Sequence, residues 1–319
     1  MPAFAHHPTV APSGTSQNAA GPILTIPATT LPENGWGASI SLDYRDIDNF
    51  SSGSLEALGN RDIEAHGLNA IWLTTLAVAY GVTDDVMVSA SLPYIRRTNV
   101  REVHNHMGVP EIHENGDAGG IGDLALFAQW RFLNLPVDGF SAAGILGFKT
   151  PTGETDEKTA GGDRFETEFQ PGSGSWDPIL GFAVTQEMGS FAVSSNVIYR
   201  IATEGSHATN LGDGMEANVA VVRRLAGGWH AHADGAREFH SAWSAILELN
   251  GEWRDRQETA GVEDAHSGGY TLYLTPGVRY SDEGGWSAWA AVGYPVAEGL
   301  NGAQAGSGVR LLFGASRSF

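Results

Sequence analysis

The sequence predicts an all-β protein, a transmembrane antiparallel up-and-down β-barrel of about twelve strands with long outside loops and short periplasmic turns. Three observations carry that prediction. Side chains alternate between apolar and polar with a period of two along most of the chain, as the two faces of a half-buried sheet require. The connections alternate between long and short, so loops collect on one side of the sheet and tight turns on the other. Aromatic residues mark the strand ends, where an interfacial girdle lies.

The elements follow in order. Residues 1–34 are rich in Ala, Pro, Ser and Thr without a period, and read as a flexible periplasmic lead segment before a barrel over 35–319. Within it Ala3-Phe4-Ala5 fits the small-x-small end of a secretory signal, so residues 1–5 read as a signal remnant, although no basic or apolar region precedes them. The first strand spans 36–44 and ends on Tyr44. The second spans 68–80 and ends on Tyr80. Its surroundings, 65–83, carry no Asp, Glu, Lys or Arg, but Asn69, Thr74, Thr75 and Gly81 interrupt the ~20 apolar residues that a spanning helix needs. The third spans 86–94. In the fourth, 123–132, Leu124, Leu126, Ala128 and Trp130 oppose Gln129 and Arg131. The fifth and sixth span 140–150 and 176–187. In the seventh, 191–201, Phe191, Val193, Val197 and Tyr199 oppose Ser194, Asn196 and Arg200. The eighth spans 215–224. The ninth, 243–254, sets Trp243, Ala245, Leu247, Leu249 and Trp253 against Ser244, Glu248, Asn250, Glu252 and Arg254. The tenth and eleventh span 270–280 and 286–294. The twelfth, 308–319, has Val309, Leu311, Phe313, Ala315 and Phe319 on one parity, broken only by Arg317. A soluble sandwich or propeller also alternates, but neither sorts its loops by length.

Composition narrows the function. Lys and Arg number 18 against 37 Asp and Glu, a net charge of −19, and no basic cluster is available to bind nucleic acid. The absence of Cys removes thiol chemistry and disulfides. An enzyme is not expected: His240, Ser241, Ser244 and Asn250 are the nearest set, their spacing fixes no triad, and no GxSxG is present. The inward parity holds Arg131, Lys149, Arg200, Arg224, Arg279 and Arg310 with Asp43, Glu216, Glu248 and Glu252. These charges read equally as the lining of a selective path and as a salt-bridge ladder that stiffens the barrel, because Arg or Lys facing lipid costs ~2–4 kcal/mol at the midplane.

Histidines supply a second candidate site. In VHNHMGVPEIHEN, read as part of a long outside loop over 95–122, His104 and His106 share one side of an extended segment, with His113 as a third ligand and Glu111 and Glu114 beside them. His230, His232 and His240, with Asp234, form a second group in the one extended turn-side connection, and His6-His7 a third. Imidazole suits zinc or copper, and such a site weakens as pH falls through ~6.5. Polar loops also hold histidines without any ion.

Several segments resemble an outer-membrane family named for the MetA pathway of phenol degradation: GDLALFAQWRFL, LGFKTPTGE, FQPGSGSWDPILGFAVT and the closing GVRLLFGASRSF, with a first strand opening ENGWGASISLDYR. Together the similarity spans 32–319, and the pairing of PTG with PGSGSWDP is its most specific part. The resemblance implies a barrel that passes small, often aromatic or hydrophobic, compounds across the bacterial outer membrane. The expected partners are outer-membrane lipid, a small solute and the barrel-insertion machinery that reads a terminal Phe, and the expected state is a monomer. The other reading is a closed-lumen structural barrel, or a surface barrel that binds zinc or copper.

Overall fold

The computed structural model describes residues 21–231 and 237–319, with the backbone alone described for 227–231 and 237–240. Twelve strands form the wall: β1 (Trp36–Asp48), β2 (Ala70–Thr83), β3 (Val86–His106), β4 (Ala125–Leu135), β5 (Phe140–Lys149), β6 (Asp177–Met188), β7 (Phe191–Arg200), β8 (Gly214–Ala231), β9 (Arg237–Arg254), β10 (Gly269–Ser281), β11 (Trp286–Leu300) and β12 (Gly306–Ser318). Each pairs antiparallel with its neighbours in sequence, and β1 pairs with β12 from Gly37↔Ser318 to Asp48↔Gly306. That last ladder closes the barrel, so each of the twelve wall strands has a partner on both sides.

The outward rows are the apolar ones. Ile40, Leu76, Val78, Leu146, Leu180 and Leu247 are all exposed, a burial pattern inverted relative to a soluble sheet and satisfied only when lipid covers it. Aromatic pairs ring both ends: Trp36 with Tyr80 (4.7 Å between ring centroids) and Trp243 with Tyr280 (5.1 Å) near the turns, Tyr44 with Trp72 (4.6 Å) near the loops. Arg317, the exception in the outward row of β12, lies over Trp286 (5.1 Å) and Phe319 (4.6 Å). The cation therefore sits at the aromatic girdle, stacked on rings, and not in the apolar band.

Two stretches differ from the sequence reading. The region over 95–122 is not a loop. β3 runs on to His106 and turns back through a strand at Val109–Ile121, because Met107 (φ 53°) and Gly108 (φ 85°) form a two-residue turn with both central φ positive. That geometry matches strand twist and makes a hairpin, a pattern hidden by the absence of Asn-Gly or Asp-Gly. A short strand at Ala65–Gly67 pairs with its base, and helix α1 (Ser52–Gly59), capped by Ser51, packs Leu55 against Val103 on one face.

The lead segment differs more. Residues 1–20, including the expected signal remnant and His6-His7, lie outside the described residues. Gly21 to Leu31 read as unpacked and periplasmic, yet almost all of them are buried inside the barrel, Thr25, Ala28 and Leu31 completely. Lack of a period means only that the segment belongs to no sheet; its apolar residues Ile23, Ile26 and Leu31 still find a core.

Candidate functional site

The lumen is organised around this segment. A chain inside a barrel must satisfy its backbone groups without a partner strand. Pro22 and Pro27 remove two donors outright. Inward side chains supply the rest. The amides of Ile23, Leu24 and Thr25 and the Thr25 hydroxyl all donate to the Glu248 carboxylate on β9. Ile26 donates to Asn196 on β7 (2.8 Å) and Ala28 to Thr185 on β6 (2.9 Å). Gln129 on β4 donates to the carbonyls of Pro27 (3.0 Å) and Thr29 (3.1 Å), and Arg279 on β10 to that of Pro22 (2.6 Å). Glu33 finally reaches Asp84 in the β2–β3 turn (3.0 Å). The segment thus runs inside the lumen from β10 past β9, β7, β6 and β4 to the β2–β3 turn.

The wall it crosses has two chemistries. On β4 to β7 the inward residues Phe127, Ile145, Ile179 and Ile198 pack with Ile26 and Ala28 into one apolar cluster. Opposite, Arg45 and Arg310 share both Asp43 (3.1 and 2.6 Å) and Glu252 (2.8 Å each), joining β1 and β12 to β9 across the intervening strands. Such paired guanidinium–carboxylate links, nearly all of their surface buried, hold a fixed geometry.

The outside mouth explains the segments that define the resemblance. Asp123, from GDLALF, accepts the amides of Gly153 in PTG (2.8 Å) and Ser173 in PGSGSWDP (2.9 Å). Lys149 bonds Asp123 (2.9 Å) and Asp177 (3.2 Å) beneath them, and Asp177 also meets Arg200 (3.3 Å). Gly153 and Gly172 lie back to back, each leaving no room for a Cβ: one built on Gly153 would be 2.6 Å from the Gly172 Cα. The loop 151–176 is thereby folded inward. Phe165 and Phe169 are buried against Ile71, Leu73 and Ile95, and the fully buried Arg97 donates to the Phe169 carbonyl (3.1 Å).

The expected lining residues fall in different places. Asp43, Glu252 and Arg310 form the cross-lumen network, and Glu216 shares their inward parity. Glu248 and Arg279 hold the internal segment. Lys149 and Arg200 belong to the mouth network. Arg131 lies at the turn-side rim, paired with Asp85 (2.8 Å), because a register shift between Trp130 and Leu133 ends the regular alternation. Arg224 on β8 is level with the turn end of β7, its amide bonded to the Ser190 carbonyl. Arg45 and Arg97 were missed; both follow the inward parity, Arg45 one residue past the expected end of its strand and Arg97 in what read as a loop.

Of the expected metal ligands, His104, Glu111 and His113 share one face of the hairpin, with the His104 and His113 rings 5.6 Å apart. His106, on the same parity, is at the exposed tip. Glu114 does not join them: it pairs with Arg101 on the opposite face (3.9 Å), because adjacent residues of a strand point to opposite faces and it follows His113 directly. His230 and His240 occupy the extended hairpin of β8 and β9, opposite Glu238 and Gly228 respectively, while His232 and Asp234 lie outside the described residues.

The family model described as "Putative MetA-pathway of phenol degradation" matches residues 45–311. No match was found among curated proteins. Among solved structures the chain is similar to an outer membrane channel from Pseudomonas putida F1, at 14% identity and TM-score 0.60, over 92% of this chain and 98% of that one. It also matches the CymD monoaromatic hydrocarbon channel at 11% identity and TM-score 0.43, over 90% and 89%. The likeness of fold rests on the first of these. A closed antiparallel barrel with a lipid-facing apolar band and that likeness make the chain a protein of the bacterial outer membrane.

Proposed function

Since the chain belongs to the MetA-pathway phenol-degradation family, we propose that it is a passive channel for a small amphiphilic solute, an aromatic or hydrophobic compound with one polar or anionic end. The observation that supports this reading most is the two-sided lumen. A ring fits against Phe127, Ile145, Ile179 and Ile198, while a carboxylate or hydroxyl on the same molecule faces arginines of the opposite wall. The segment over 22–31 occupies part of that space, with Ile26 and Ala28 packed on the first wall and the amides of Ile23, Leu24 and Thr25 held by Glu248 on β9. Displacement of the segment within the lumen exposes both surfaces to solute. The test is planar-bilayer recording with benzoate and with glucose at equal concentration. Benzoate interrupts the current in discrete events and glucose does not; equal effects of the two, or no current at all, refute the proposal.

A further inference from the structure

The histidine that best fits a metal is one the sequence pattern passes over. The short strand Ala65–Gly67 pairs with β3 so that His66 stands opposite Glu102, on the same hairpin face as His104. The Nε2 of His66 is buried and makes no hydrogen bond, yet it has carboxylate oxygens of Glu166 at 3.4 Å, Glu102 at 3.7 Å and Glu64 at 3.8 Å. A fourth carboxylate, Glu168, fully buried, lies 3.7 Å from Nδ1. We propose that Glu64, His66 and Glu166 form a divalent transition-metal site that fastens the inward loop 151–176 to the outside hairpin.

Distances support an ion at the centre. Ligand atoms ~2.1 Å from a tetrahedral zinc stand ~3.4 Å from one another. The ligand atoms of Glu64, His66 and Glu166 all lie within 4.8 Å of each other, and the His66–Glu166 separation is already 3.4 Å. Glu102 is placed to be a fourth ligand. Charge supports it as well. Glu64, Glu102 and Glu166 converge where Arg101 is turned to the other face of the hairpin, toward Glu114 and the Phe50 carbonyl, and a divalent cation offsets their mutual repulsion. His104 is a positioning residue: its two ring nitrogens lie 3.2 Å from Glu64 and 3.2 Å from Glu102, an arrangement that orients carboxylates around a metal. Imidazole with carboxylates selects zinc-like ions over calcium, which takes oxygen alone.

The consequence is mechanical. Glu166 lies between Phe165 and Phe169, the two rings that fill the mouth, and the His66 ring itself meets Phe169 (5.6 Å). An ion shared by Glu166 and the hairpin therefore holds those rings in place. The test is calorimetric titration of the chelator-treated, full-length protein in detergent with zinc, with trypsin cleavage at Lys158 and Arg164 in the same loop as a second readout. The expected result is one zinc site, weakened about tenfold or more by Glu166→Gln or His66→Gln and unchanged by His106→Ala, with loop cleavage slowed by zinc in the wild type only. Glu166 is half exposed, so its variant keeps the fold if His66→Gln does not. No zinc binding, or binding that survives both Gln variants, overturns the site; zinc binding without protection of the loop overturns the fastening.

Discussion

Replacing one atom pair at Glu248 tests how the internal segment is held. Glu248→Gln keeps the shape of the side chain but turns one acceptor oxygen into an NH2 that faces donors. In the wild type, the two oxygens receive the amides of Ile23, Leu24 and Thr25, the Thr25 hydroxyl and the Asn250 amide (3.1 Å). Hydrogen bonds to a charged acceptor contribute ~1.5–3 kcal/mol each and neutral ones about half as much. The apolar contacts of Ile23, Ile26 and Ala28 remain, so the net loss is on the order of 2–4 kcal/mol, or about 30- to 800-fold in the equilibrium for local release. Amide hydrogen exchange of the protein in detergent reads this directly, because Ile23, Leu24 and Thr25 exchange only when they leave the carboxylate. Exchange at these three residues accelerates by that factor in the variant while the amides of β9 stay protected. Rates within threefold of wild type would refute the anchoring.

Three further outcomes follow from named contacts. Gly153→Ala forces a Cβ against Gly172 and costs ~1–3 kcal/mol in the mouth, so trypsin cuts loop 151–176 faster while heat-modifiable gel migration of the barrel is unchanged. Glu252→Gln removes the carboxylate shared by Arg45 and Arg310, and the reversal potential in a salt gradient shifts toward anions. Asp117 accepts the Asn99 amide (2.9 Å) and pairs with Arg96 (2.8 Å), which lower its carboxyl below the usual ~3.9; a lowered pKa means stabilisation that is complete above that value and lost as pH falls through the lower one, so the protection factor of the Asn99 amide, its exchange relative to the unprotected rate at the same pH, falls in acid and is lowered at neutral pH by Asp117→Asn.

Strand positions and faces were legible because lipid imposes the period of two on nearly every wall residue: Arg223 and Arg317 depart from it, and both rest on rings. What stayed hidden belongs to the lumen. Nothing in GPILTIPATTLPE distinguishes an internal strap from a loose leader, since its partners, Glu248, Asn196, Thr185 and Gln129, are scattered over four strands and meet only when the barrel closes. The candidate metal cluster was half legible for the same reason. His104 and His113 stand out as neighbours in sequence, whereas His66 joins them only through the pairing of 65–67 with β3, and Glu166 only through the inward fold of a loop pinned at Asp123.

The central claim is that the barrel is a channel whose bore is set by its own N-terminal segment. Single-channel conductance of the full-length protein, compared with a variant that begins at Pro32, tests it most directly. The truncated barrel keeps its heat-modifiable migration and shows a several-fold larger unitary conductance, because Pro22 to Leu31 no longer cross the lumen. Equal conductance in the two proteins, or none in the truncated barrel when it is correctly folded, would contradict it.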